Sequence, residues 1–268
     1  MRESIGHYRI LDRMSGSAMG EVYRARDTRA GRTVAIRVLS DAIARDAARR
    51  RRFIDDARAA SAVSHPNIAA LYEVGEEPDL LYLVSEFVPG ETLRTVIGGR
   101  PINPRRAIDL AAQVADAMAE AHAHGMVHGD LRPETIVVTP KGSAKIMEPG
   151  FSAWLGEAPG PPSPGGSDRA DVAALGGVLR EMLAGLVLPP EIDQIARKMA
   201  GDGVEPFGSA AVAAAELRSL AASLAARSLT AEPPKAPAAQ PRRSGFAWIL
   251  AVAVIVALSA LIWLATRP

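Results

Sequence analysis

The stretch that decides the fold is Val127-His128-Gly129-Asp130-Leu131-Arg132-Pro133-Glu134-Thr135, followed by Lys145-Ile146-Met147-Glu148-Pro149-Gly150. A short polar loop sits between apolar runs. Thr135-Ile136-Val137-Val138 then reads as a strand and Pro140-Lys141-Gly142-Ser143 as a turn. A second short strand ends on an acid and a glycine, Glu148 and Gly150.

Upstream of this loop, residues 104–123 predict a long helix, apolar at Ile108, Ala111, Ala112, Ala115 and Met118. Further back, residues 7–39 read as a β-meander. Its strands are Tyr8-Arg9-Ile10-Leu11, Glu21-Val22-Tyr23-Arg24-Ala25 and Val34-Ala35-Ile36-Arg37-Val38-Leu39, joined by turns of small residues. Residues 41–63 read as one basic helix. The run Arg49-Arg50-Arg51-Arg52 is most simply its solvated face. Two more strands follow at Leu71-Tyr72-Glu73-Val74 and Leu80-Leu81-Tyr82-Leu83-Val84, and Gly90-Glu91-Thr92-Leu93 starts a helix. Downstream, helices are expected over 172–183, 191–200 and 209–224, with a Gly/Pro-rich low-complexity loop over 156–166. Strands first and helices later make an α+β chain.

The 268 residues suit one two-lobed domain and a tail, and 48% hydrophobic content is ample for a core. A net charge of +1 gives no support for a nucleic-acid binder. Without cysteine there are no disulfides and no thiolate metal sites. His122, His124 and His128 crowd together, but their spacing fits no helix-face metal pair.

The loop and its flanks resemble the protein kinase family, in its bacterial Hanks-type serine/threonine branch. His128-Gly129-Asp130-Leu131 through Thr135 is similar to the catalytic-loop pattern H-R-D-L-x-x-x-N, and Glu148-Pro149-Gly150 to D-F-G. Ser15-Gly16-Ser17-Ala18-Met19-Gly20-Glu21-Val22 resembles the glycine-rich loop G-x-G-x-x-G-x-V, with only the third glycine kept. Val34-Ala35-Ile36-Arg37 is similar to V-A-I-K with Arg for Lys. Asp56 stands at the place of the helix glutamate that pairs with that lysine. Ser64-His65-Pro66-Asn67-Ile68 matches the family's H-P-N-I, and Ser85-Glu86-Phe87-Val88 resembles the hinge between lobes. The resemblance covers residues 7–224.

It implies a bilobal fold: an N-lobe of antiparallel sheet plus one helix over about residues 7–86, and a shortened, mostly helical C-lobe over about 90–228. ATP is the implied ligand and Mg or Mn the implied metal. Ser15, Ser17, Gly20, Val22, Ala35, Arg37, Asp56, Glu86 and Val88 would line the nucleotide site. Asp130 and Arg132 take the catalytic positions, Glu148 and Thr135 the metal positions. Several departures damage that machine. Gly129 replaces the Arg that would hold a phosphorylated segment, and Thr135 replaces a metal-binding Asn. Glu148 is one methylene longer than Asp, and Pro149 biases it toward extended backbone. Arg is a planar fork where the family uses a point charge. An Arg37–Asp56 ion pair between strand and helix is expected. Asp171 resembles the buried Asp that braces the catalytic loop. No A-P-E motif follows residue 150, and the loop and helix that help dock protein substrates after 183 are missing. Such losses cost a few kcal/mol each in barrier height. The resemblance therefore implies a pseudokinase that binds nucleotide or scaffolds an unknown protein partner. The alternative is an atypical active kinase with Asp130 as base.

The tail carries a separate message. Residues 229–244 read as a Pro/Ala-rich linker. Residues 245–265 are apolar and long enough to span a bilayer, with Trp248 and Trp263 near the ends and Arg242-Arg243 before them. The opening residues show no apolar leader, so no secretory signal is expected. The expected placement is the inner membrane, single-pass, with the N-terminal domain in the cytoplasm and residues 266–268 beyond the span.

Overall fold

The computed structural model describes residues 3–17, 19–77, 80–148, 150, 151, 154, 167–203 and 205–230. Pro149, the low-complexity loop and the expected span at 245–265 lie outside the described residues. Among the described residues no helix is long and apolar enough to cross a membrane. Residues up to Ala225 form one compact unit.

Six antiparallel strands make the first sheet: β1 (Ser4–Ile5), β2 (Tyr8–Ser17), β3 (Gly20–Asp27), β4 (Thr33–Leu39), β5 (Leu71–Glu77) and β6 (Leu80–Glu86), in the order β1-β2-β3-β4-β6-β5. β4 and β6 are buried on both faces, which is why they read as unbroken apolar runs rather than as alternations. The outer face packs Ile5, Tyr8, Ala25, Val34, Ile36, Tyr82 and Val84 into their own cluster. Gly75 is required there, because a Cβ would meet the Tyr82 ring at 2.0 Å. The strands run longer than expected, and β1 was not foreseen. Ile5 pairs with Tyr8 across the Gly6 turn, so the sheet starts before residue 7.

The inner face meets helix α2 (Ala47–Ser61) through Phe53, Ile54, Ala57 and Ala60. The single helix expected over 41–63 is two, because Asp46 breaks it. Its carboxylate accepts from Arg49 N at 2.9 Å and caps α2, leaving the short α1 (Asp41–Ala44) before it.

In the second lobe, Glu91 and Thr92 first pair with the following sheet as β7 (Glu91–Thr92); Thr92 then caps α3 (Leu93–Ile97). α4 (Pro104–Ala123) runs over the expected residues, with Asn103 capping and Pro104 in its first turn. β8 (Ile136–Val138) and β9 (Ala144–Ile146) complete a small sheet, β7-β8-β9. α5 (Asp168–Met182), α6 (Pro190–Ala200) and α7 (Ala210–Thr230) follow, with no helix between α5 and α6. α5 and α6 touch at Gly176, where a Cβ would stand 2.9 Å from Ala200 N. α7 extends two residues into the expected linker.

Candidate nucleotide and catalytic site

The site is built where the inner face of the first sheet meets the loop between α4 and β8. Val22 lies opposite Arg37 in the β3–β4 register, and Ala35 lies two residues before Arg37 on the same face. Val22 and Ala35 are buried, as is Val88 just beyond β6. The Glu86 carboxylate is committed to structure. It accepts from Lys145 Nζ at 2.6 Å and Ala70 N at 3.2 Å, tying the hinge to β9 and β5.

The turn between β2 and β3 is zipped. Ser15, Gly16 and Ser17 pair with Val22, Glu21 and Gly20, and Met19 at the tip is fully buried in the main core. Gly20 has φ 135°, and a Cβ there would lie 1.9 Å from the Val38 carbonyl oxygen. The glycine is thus demanded by the sheet itself. Ser15 is exposed, and Ser17 offers its hydroxyl inward to Arg37.

Arg37 is only 9% exposed. The expected pair with Asp56 is not made. Arg37 donates from Nε to Glu148 Oε1 at 2.8 Å and from Nη2 to Oε2 at 2.6 Å, a bidentate fork. Its Nη1 donates to Ser17 Oγ at 3.1 Å and the Gly20 carbonyl at 3.4 Å. Asp56 instead accepts from Trp154 Nε1 at 3.0 Å, with Arg52 at 3.8 Å. Glu148 also departs from the extended backbone expected of a residue before proline. Its φ is 52°, in the left-handed region. A non-glycine residue there costs roughly 1–2 kcal/mol, and the two-pronged grip of Arg37 on the carboxylate opposes relaxation.

The catalytic loop is braced from below. Asp171, at the first turn of α5, is 1% exposed. It accepts from His128 N at 2.8 Å, Gly129 N at 2.9 Å and His122 Nε2 at 2.8 Å. Burial pushes its carboxyl up, but the bonds from His122, Gly129 and His128 outweigh burial and hold it below the usual range. The structural role expected of Asp171 is what the geometry shows. Burial holds the His128 imidazole below its ordinary pKa of 6.5, against the pull of Asp171. Its Nδ1 accepts from Asp130 N at 3.2 Å, and its Nε2 lies 3.3 Å from the Met147 carbonyl. That pattern fits a neutral ring with the proton on Nε2. His122 and His128 are thus structural, and among the described residues no cluster of three or more metal-ligating side chains occurs.

Asp130 is half-buried, and its Oδ2 accepts from Arg132 Nε at 2.9 Å. Thr135 turns its hydroxyl back onto the loop. It accepts from Arg132 N at 3.1 Å and lies 2.9 Å from the Arg132 carbonyl. Beyond it, Arg132 faces Glu134 at 3.4 Å, and Arg94 of α3 donates to Glu134 Oε1 at 2.7 Å and pairs with Glu181.

The Protein kinase domain family matches residues 13–168 of this sequence. The chain belongs to that family. The kinase fold is also that of the PknI kinase domain of Mycobacterium tuberculosis, whose crystal structure aligns with TM-score 0.65 at 24% identity, covering 83% of this chain and 99% of that one. Among curated kinases, the serine/threonine-protein kinase PrkC of Bacillus subtilis is 34% identical over 200 residues, covering 68% of this chain and 31% of PrkC. Serine/threonine-protein kinase PknB of Mycolicibacterium smegmatis is 37% identical over 155 residues, 56% of this chain and 25% of PknB. The chain therefore spans a third or less of the length of these two relatives.

Within this kinase fold, the cleft gathers Ser17, Gly20, Val22, Ala35, Arg37 and Glu148, while Asp56 is drawn off to Trp154. Sequence reasoning missed Trp154, which is 2% exposed and stacks edge-on against Phe53 at 5.2 Å. A lone tryptophan ahead of a Gly/Pro-rich run was the available signal. The Arg94 bridge between Glu134 and Glu181 left no signal, because its partners are distant in sequence.

The divalent metal implied by the family fits this site poorly. Both Glu148 oxygens are engaged by Arg37, and the Thr135 hydroxyl serves the loop backbone.

Proposed function

We propose that this chain is a membrane-anchored signalling module of the serine/threonine kinase type, a pseudokinase that binds nucleotide and scaffolds a protein partner, with weak or no phosphoryl transfer. One observation carries it: the carboxylate at the metal position, Glu148, is held bidentately by the strand cation Arg37. Phosphoryl transfer is catalysed mainly by positioning and charge neutralisation. A carboxylate already neutralised does not recruit the ion that would do the neutralising. Gly129 and Thr135 remove two further parts. The apolar stretch at 245–265 supports a single inner-membrane span with the kinase-like domain in the cytoplasm.

A second reading, an atypical active serine/threonine kinase, is favoured by the braced loop. Asp130 stands half-exposed with Arg132 beside it, and Asp171 holds the loop as catalysis would need. The relatives named above are called serine/threonine-protein kinases.

The test uses the full chain recovered in detergent from membranes, incubated with γ-labelled ATP and Mg²⁺ or Mn²⁺. Label on the chain and on added peptide acceptors is expected to match an Asp130→Asn control. Incorporation that the substitution abolishes establishes the second reading instead. Release of the chain from membranes by alkaline extraction would remove the anchor.

A further inference from the structure

We propose that the cleft takes a nucleoside polyphosphate free of divalent metal, and that Glu148 competes with its phosphates for Arg37. This rests on the reading of the cleft as a nucleotide site. The guanidinium has two usable edges. One edge, Nε with Nη2, is closed by Glu148. The other, Nη1, points to the β2–β3 hairpin through two longer contacts, to Ser17 Oγ at 3.1 Å and the Gly20 carbonyl at 3.4 Å. A phosphate oxygen replaces those neutral acceptors with a charged one and draws on the same guanidinium charge that Glu148 already neutralises.

A metal ion is offered the opposite terms. To ligate it, Glu148 either leaves a guanidinium that is 9% exposed, stranding a buried cation, or holds the ion beside that cation with its charge already neutralised. The hairpin backbone is also poorly placed to substitute for metal, since Ser15, Gly16 and Ser17 are paired across the ladder and Met19 anchors the tip. Arg37 is then the main cation that phosphates meet from the sheet. Arg132, across the cleft, is itself paired with Asp130. The cationic edge and its carboxylate competitor make a phosphate subsite whose affinity is set by Glu148 rather than by Mg²⁺.

The experiment is equilibrium binding of ATP to the full chain in detergent, in EDTA and in excess Mg²⁺, for the native protein and for Glu148→Gln and Arg37→Met. Glu148→Gln keeps the shape and removes the competing charge. It is expected to tighten metal-free ATP by about tenfold, the scale of one charge-assisted hydrogen bond released to a ligand. Arg37→Met is expected to lose the phosphate contribution, so that ATP binds no better than adenosine. Mg²⁺ should leave the native affinity unchanged or weaker. Thermal unfolding without ligand checks that each variant is folded, and Glu148→Ala replaces Glu148→Gln should the latter fail. Tightening by Mg²⁺ that vanishes in Glu148→Gln overturns the inference, as does equal or weaker metal-free binding by that variant. Absence of ATP binding by every variant in either condition sinks the nucleotide-site reading beneath it. Transfer of phosphate plays no part in the readout.

Discussion

At the scale of single residues, Asp171 does more than any other polar side chain to fix the loop that carries Asp130. Three donors from two elements converge on it, and two of them are backbone N–H groups of consecutive residues. Asp171→Ala leaves them without their acceptor in a buried place. It should destabilise the domain by about 3 kcal/mol or more, read from urea unfolding. A loss under about 1 kcal/mol would mean that water satisfies these groups and the brace is not needed. This residue was legible in the sequence, because an Asp at the start of a helix after the loop has few other uses in the family pattern. Arg37 was legible as a cation in the cleft but not in its partner. The helix acid and the acid after β9 were both candidates, and spacing along the chain says nothing about which reaches the guanidinium. Glu148 wins with its longer side chain, and Trp154 has already claimed Asp56.

At the scale of elements, α4 and the turn at 140–143 were readable, whereas the break at Asp46 and the closure of the β2–β3 hairpin were not. α4 came out at its expected limits because Asn103-Pro104 marks its start and its apolar face is continuous. The stretch from Ser15 to Val22, joining two strands, was read by resemblance as the glycine-rich loop that meets phosphates. It is closed because Met19 finds a place in the core between sheet and α2, a tertiary gain invisible to local pattern. α2 is in turn tied to Trp154, through a hydrogen bond from the indole to Asp56 and ring packing on Phe53. Trp154→Phe keeps much of the packing and removes the hydrogen bond, so unfolding measurements should show a loss of about 1 kcal/mol. Trp154→Ala should cost about 3–5 kcal/mol. Near-equal losses for the two would show that the Asp56 bond, not the ring, holds the helix.

For the whole molecule, the bilobal outline was legible through the family resemblance that the loop motifs carry. The direct passage from α5 to α6 was legible as well, from Leu186-Val187-Leu188-Pro189 leading straight into α6, with Val187 fully exposed. Acid sensitivity belongs to this scale because several buried groups act with one sign. Burial lowers the pKa of His128 and of His65 from 6.5, so both stay neutral in the fold while the unfolded chain takes up protons. Stability therefore rises with pH up to about 6.5 and falls between about pH 6.5 and pH 5. A second loss sets in below 3.8, where the unfolded carboxyl protonates while Asp171, held below that value, keeps its charge until its own lower pKa is passed. Urea midpoints across this range should show a first decline that is blunted in His128→Asn. A flat profile from neutral pH to pH 5 would contradict it.

The fork between Arg37 and Glu148 also bears on how such a sequence changes over generations. Restoring lysine at 37 alone gives up the second prong while Glu148 remains, and restoring aspartate at 148 alone shortens the arm that reaches the guanidinium. Each reversal spoils a partly buried ion pair before its counterpart can repair the site, so the two positions are coupled. Exchanging either residue alone is therefore expected to cost more stability than exchanging both, so that a sequence of this kind changes at the two positions together or at neither.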